Sequence, residues 1–94
     1  MIERRGRFEI TMNIINQYPW IAKRVMSQCI IVRAERMYMR DSIEYHAISH
    51  KFDLVQEGEI IPAYYWKYSP ENDIEAMKLE TLGNQIIPMI KGKL

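Results

Sequence analysis

The stretch Ile43–Ser69, IEYHAISHKFDLVQEGEIIPAYYWKYS, decides how this chain reads. Its first part alternates. Ile43, Tyr45, Ala47 and Ser49 fall on one side, and Glu44, His46, Ile48 and His50 on the other. Its last part, Glu59 to Tyr68, is rich in isoleucine, tyrosine and tryptophan. β-Branched and aromatic side chains fit a pleated, half-buried surface, so both runs predict strands. Between them Gln56-Glu57-Gly58-Glu59 is a turn signal, where Gly58 takes a positive φ at little cost. The pattern predicts a hairpin-like unit that supplies most of the core. Pro62 has no N–H for a ladder, so the second strand is an edge, is bulged, or begins at Ala63. Alternation sends Tyr64, Trp66 and Tyr68 to one face and Tyr65 and Lys67 to the other.

Upstream, Cys29-Ile30-Ile31-Val32 leans towards β structure. Ile30 to Met39 is expected as a strand that turns at Arg40-Asp41-Ser42 into the strand from Ile43, although its alternation is poor. The alternative is one long helix reaching Tyr38. That helix would place Arg33, Arg36 and Arg40 on the same stripe as Ala22, Val25, Met26 and Cys29, turning an apolar face cationic halfway along. Asn13 to Gln28 reads as helical, with Pro19 opening the main helix. Ile21, Ala22, Val25, Met26 and Cys29 recur there at helical spacing, and Trp20 is a core or interface anchor. Phe8, Ile10 and Met12 alternate with Arg7, Glu9 and Thr11, a short strand pattern. Residues 1–7 read as a mobile basic arm, and Met12 is a credible alternative start.

Downstream, Ser69 to Gly83 reads as a helix. Ser69 caps with Pro70 at the first helical position, or Asn72 caps with Glu75 closing a capping box. Ile74, Met77 and Leu82 form its apolar stripe, with Ala76 and Leu79 beside it. Gly83-Asn84 is a stop signal. Residues 84–94 form an apolar and then basic tail that packs back on the domain or docks on a neighbour. The expected fold is α+β: a single domain with a small antiparallel sheet and two helices packed on it, near Pro19–Gln28 and Pro70–Leu82.

Composition sets outer bounds. Apolar residues make up 48% and charged residues 27% of 94, ordinary values for a soluble globular chain. One cysteine, Cys29, excludes an intrachain disulfide. No secretory signal is evident, and no apolar run approaches the roughly 20 residues of a membrane span. A cytoplasmic protein without membrane contact is expected. The net charge of +1 hides an asymmetry: the basic side chains concentrate in residues 1–40 and the acidic ones in residues 41–94. Such a dipolar chain can self-associate or present its basic side to an anion.

Catalytic signals are weak. On one strand His46 and His50 would lie roughly 13 Å apart, too far to chelate one ion together. No second ligand cluster sits at metal spacing, and four glycines supply no phosphate loop. Cys29 with His46 is a nucleophile–base pair only if the fold brings them together. Neither metal, cofactor nor enzymatic activity is expected. The cluster Tyr64, Tyr65, Trp66 and Tyr68 has two readings, core plus interface or a base-stacking surface, and core plus interface is preferred.

The run IEYHAIS…FDLVQEGEIIPAYY carries Glu44, Tyr45, Ala47, Ser49, Phe52, Val55, Gly58, Glu59, Pro62 and Tyr64. It resembles a run in small, uncharacterised proteins of phages and prophages. It spans residues 43–64, about a quarter of the chain. No activity attaches to that run, so no functional residue carries over. Small phage accessory proteins often act by binding, so the resemblance implies blocking a host protein or sequestering a ligand.

The expected function is therefore that of a non-catalytic, homo-oligomeric binding protein. Its expected interface is Tyr64, Tyr65, Trp66 and Tyr68 with the tail residues Ile86, Ile87, Met89 and Ile90. Its partners are itself and a host protein. The alternative is a nucleic-acid or nucleotide binder using Arg4, Arg5, Arg7, Arg33, Arg36 and Arg40.

Overall fold

A computed structural model of the chain describes residues 2–79 and 90–91. The first strand, β1 (Glu3–Thr11), runs through the interior of a four-stranded sheet. Residues 3–7 therefore form no mobile arm. Phe8 and Ile10 point into the core while Arg5, Arg7 and Glu9 point away from it, the period-two pattern of a strand covered on one face. Gly6 is required by close packing: a Cβ there would sit 2.7 Å from the Tyr64 ring and 2.9 Å from the Phe52 ring.

Thr11 ends β1 and caps the first helix. Its Oγ1 accepts from the Ile14 N–H at the start of α1 (Met12–Gln17). Pro19, which has no N–H to continue the ladder, divides the helical region and opens α2 (Pro19–Ser27). Ile21 and Val25, one turn apart, are fully buried. The helix stops at Gln28, and Ile30–Met37 forms β2. This is the strand expected, and the long cationic-striped helix is absent. The poor alternation has a cause: the β2 register slips between Ile31 and Arg33, a bulge that leaves Val32 as the extra residue.

A single 3₁₀ turn, Tyr38–Arg40, and Asp41 in the left-handed region (φ 46°) lead into β3 (Ser42–Ile48). β3 lies antiparallel between β2 and β1, and the short β4 (Leu54–Val55) completes the order β2-β3-β1-β4. Gly58 takes φ 90° in the following turn, as its sequence context predicts.

The second sheet corrects two expectations. First, β3 does not pair with the aromatic run. That run, β5 (Tyr64–Ser69), is the middle strand of a separate sheet of order β6-β5-β7. It begins after Pro62, whose carbonyl accepts from the Arg7 N–H. Stretch 43–69 supplies Ala47, Phe52, Tyr64 and Trp66 to the core, alongside Phe8, Ile10, Ile14, Ile21, Val25 and Ile74 from elsewhere. It does not supply most of it. Second, the helix expected at Pro70–Leu82 is not formed: Pro70–Asn72 is a turn, and Asp73–Lys78 is the strand β6, antiparallel to β5. The cap signal was real but local. Ser69 Oγ accepts from the Asn72 N–H, and Asp73 at φ 60° then reverses the chain. Serine and proline suit a tight hairpin loop as well as a helix start. Ile74 and Ala76 satisfy a strand's alternation too, with Ala76 giving room to the indole of Trp66 opposite it. Leu82 lies outside the described residues. β7 (Ile90–Lys91) pairs parallel with β5.

The fold is thus α+β, with, among the described residues, two α-helices and two mainly antiparallel sheets around one apolar cluster. Phe8 meets Trp66 edge to face at 5.4 Å, and Phe52 stacks on Tyr64 at 4.5 Å. The first contact ties the two sheets together, and the second seats the bend between β3 and β4 on β5.

Candidate functional site

β2 closes the main sheet on one side. Its inner edge pairs with β3, and among the described residues no strand pairs with its outer edge. Alternate residues along its eight-residue length therefore present backbone donors and acceptors there, without a proline to blunt them. Apolar side chains are exposed along it: Ile30 at 69%, Val32 at 53% and Ile31 at 37%, followed by Tyr38 at 81% and Met39 at 99% in the 3₁₀ turn. Scattered single apolar residues on a surface are ordinary, but five within ten positions on one edge are not.

The turn at the end of β2 is held in place. Arg36 donates to the Ser42 carbonyl at 2.9 Å and to the Asp41 carboxylate at 2.8 Å, and its guanidinium lies over the Tyr38 ring at 5.0 Å. Arg40 donates through Nε to Glu9 Oε1 at 2.8 Å, and Ser42 Oγ donates to the same oxygen at 2.6 Å. The bond to Glu9 holds the Arg40 guanidinium more firmly protonated than usual.

The sheet face opposite the core is ordered by charge. Arg7, His46 and Arg33 form one row across β1, β3 and β2. Glu9, Glu44 and Glu35 form the next. Neighbouring rows bond to each other: His46 lies 3.7 Å from Glu44, Arg7 4.0 Å from Glu44, and Arg33 3.6 Å from Glu35.

The interface residues expected from the sequence are placed otherwise. Tyr64 (2% exposed) and Trp66 (0%) are core and offer no surface. The Tyr64 hydroxyl accepts from the Asp53 N–H at 2.8 Å. Tyr68 packs on the core with its ring edge-on to the half-exposed Trp20, and Tyr65 is half-buried across from Met77. The expected division of these rings between faces therefore holds, but only Tyr65 and Tyr68 keep any surface. Ile86, Ile87 and Met89 lie outside the described residues. Ile90 is placed by its backbone alone, beside Trp66.

The six arginines do not share one face. Arg5, Arg7 and Arg33 lie on the charged face, and Arg4 and Arg36 fall at positions of the opposite alternation. Each is engaged within the chain. Arg4 donates to the Phe52 carbonyl, Arg5 to Glu3 and Arg7 to the Ile61 carbonyl, while Arg33 pairs with Glu35. A phosphate would have to compete with these partners.

Cys29 and His46 lie on opposite sides of the sheet, since Cys29 packs against the core and His46 pairs with Glu44. Burial pushes the Cys29 thiol from an ordinary value near 9 up to about 11, against the opposing pull of a hydrogen bond with Ser49 and the charge of Lys51. A thiol of that kind is a poor nucleophile at neutral pH. His50 lies in a turn beyond the end of β3, so the two histidines do not share a strand. Among the described residues no group of three or more His, Cys, Asp or Glu is placed to hold a metal ion. No helix there is long and apolar enough to cross a membrane. A groove of about 540 Å³ runs between Glu3, Arg5, Val55, Glu59 and Ile61, with charges of both signs.

The residues that reasoning from sequence did not select are Ile30, Ile31, Val32, Tyr38 and Met39. Their signal was an apolar run that fitted neither a helix nor a clean alternation. No protein-family model, no curated protein and no solved structure matches this chain.

Proposed function

We propose that this chain is a non-catalytic protein-binding module that works through the outer edge of β2. The observation that carries the reading is the apolar series from Ile30 to Met39 beside a row of backbone hydrogen-bonding groups that no described strand pairs. Such an edge takes a partner strand: main-chain bonds supply affinity, and alternate side chains supply selectivity. The clamped turn supports it, because Arg36 and Arg40 hold Tyr38 and Met39 out at the end of the strand at no further cost in ordering. The unreactive thiol of Cys29 supports the non-catalytic part. The resemblance to phage and prophage proteins points to a host protein among the partners.

A photo-crosslinking residue placed at Val32 tests this, with the same residue at exposed Lys67 as control. Discrete protein adducts at position 32 and none at position 67, read by mass spectrometry of the linked peptides, are the expected result. Equal labelling at both positions would remove β2 from consideration.

A further inference from the structure

We infer that one occupant of the β2 edge is a second copy of this chain, paired antiparallel about a two-fold axis at Ala34. This rests on the reading of β2 as the binding edge and adds its partner and register. The case is one of charge. Within one copy, Glu9, Glu44 and Glu35 stand directly opposite one another across three strands, and in the adjacent row Arg7 and Arg33 lie on either side of His46. Like charges directly opposite one another destabilise a sheet. Both rows end at β2, on the residues either side of Ala34.

Pairing β2 with itself about Ala34 sets Glu35 of each copy opposite Arg33 of the other. Both residues lie on the charged face, so no side chain has to change sides. The acidic row of one copy then continues into the basic row of its neighbour, twice, related by the two-fold axis. No other residue of β2 gives this match: an axis at Arg33 or at Glu35 puts that charge opposite itself. The same register sets exposed Ile31 opposite Met37 and brings exposed Ile30 beside Tyr38 of the other copy. The bulge at Val32 lies outside the three central positions. The two main sheets become one, an isologous assembly in which each contact occurs twice.

Charge reversal tests both partner and register, with the full chain as its own probe. The unaltered protein should sediment as a dimer at micromolar concentration. Arg33→Glu sets a carboxylate against Glu35 of the other copy at two places, and Glu35→Arg sets a guanidinium against Arg33 in the same way. Each should raise the dimer dissociation constant at least about tenfold while circular dichroism and melting of the monomer stay unchanged. Mixing the two variants should restore a one-to-one dimer, because every cross-strand pair is then opposite in sign. The doubly exchanged chain should dimerise alone. A monomer at every concentration overturns the inference. So do single variants that dimerise as the parent does, and a mixture that stays monomeric. In any of these cases, adducts to other proteins at Val32 would leave the β2 reading standing. Absence of adducts at Val32 would remove both.

Discussion

β5 and β2 are similar strings of apolar residues with opposite fates. β5, with Tyr64, Trp66 and Tyr68 on its inner side, lies in the middle of its sheet and seals the core. β2, with Ile30, Ile31 and Val32, lies at the rim and leaves those side chains in water. Hydrophobicity alone would rank the aromatic run as the stronger interface. The difference is topological. β5 is flanked by β6 and β7, and its alternating face meets Phe8 from the other sheet and Phe52 from the bend between β3 and β4. Among the described residues β2 has a neighbour on one side only, and its bulge breaks the alternation that would have directed one set of residues inward. An apolar strand becomes a surface when the fold supplies no second neighbour.

The largest way to sharpen this contrast is at Trp66. Trp66→Ala removes the largest fully buried side chain and should cost about 3–5 kcal/mol, much of the stability of a domain this small. Urea denaturation reads the loss. Trp66→Phe should be far milder. It keeps the ring contacts and removes the indole N–H, which is buried without a hydrogen-bond partner among the described residues. If Trp66→Ala left the urea midpoint in place, β5 would not be the core strand of this fold.

Cys29 marks where packing gives way to exposure, one residue before Ile30. Its thiol is held up at about 11 by burial, against an ordinary value near 9. At pH 8 the thiolate is then roughly a hundredfold scarcer than in an unfolded chain, and alkylation by iodoacetamide should be slowed to match. The folded state prefers the neutral thiol, so this contribution to stability is complete below pH 9 and is lost as the pH rises towards 11. Equal alkylation rates in native buffer and in urea would move the boundary of the core to the other side of Cys29.

Periodicity made the local elements legible, but not their neighbours. Phe8 and Ile10, the Pro19 break, the helix end at Gln28 and the faces of Tyr64, Trp66 and Tyr68 all follow from spacing and local chemistry. At Ser69–Lys78 the local signals were ambiguous. Ser69 and Pro70 suit a helix cap and a hairpin loop alike, and the positive φ of Asp73 is not an aspartate's usual choice. The pairing of β1 with β3, across more than thirty residues of chain, leaves no trace in either strand alone. That pairing draws residues 3–7 inside and leaves β2 at the rim. The candidate site was legible only in part, since Arg33 and Arg36 stood out for their charge and the apolar edge they sit on did not.

The smallest expected effect is the most direct test of the comparison. Val32→Lys replaces a half-exposed apolar residue on β2, at the bulge, with a side chain common on natural sheet edges. The residue is absent from the buried cluster, so no cavity is made and no buried polar group is stranded. Thermal melting in dilute solution should therefore change by no more than about 0.5 kcal/mol. In the register about Ala34 the lysine ammonium would nonetheless face Arg36 of the other copy, a like charge, so association through β2 should weaken. A stable fold with lost association separates the two strands as described: β5 serves the core and β2 serves a partner. A loss of about 2 kcal/mol or more, close to what burying a valine contributes, would mean that Val32 is packed against the chain itself. β2 would then be as much a core strand as β5.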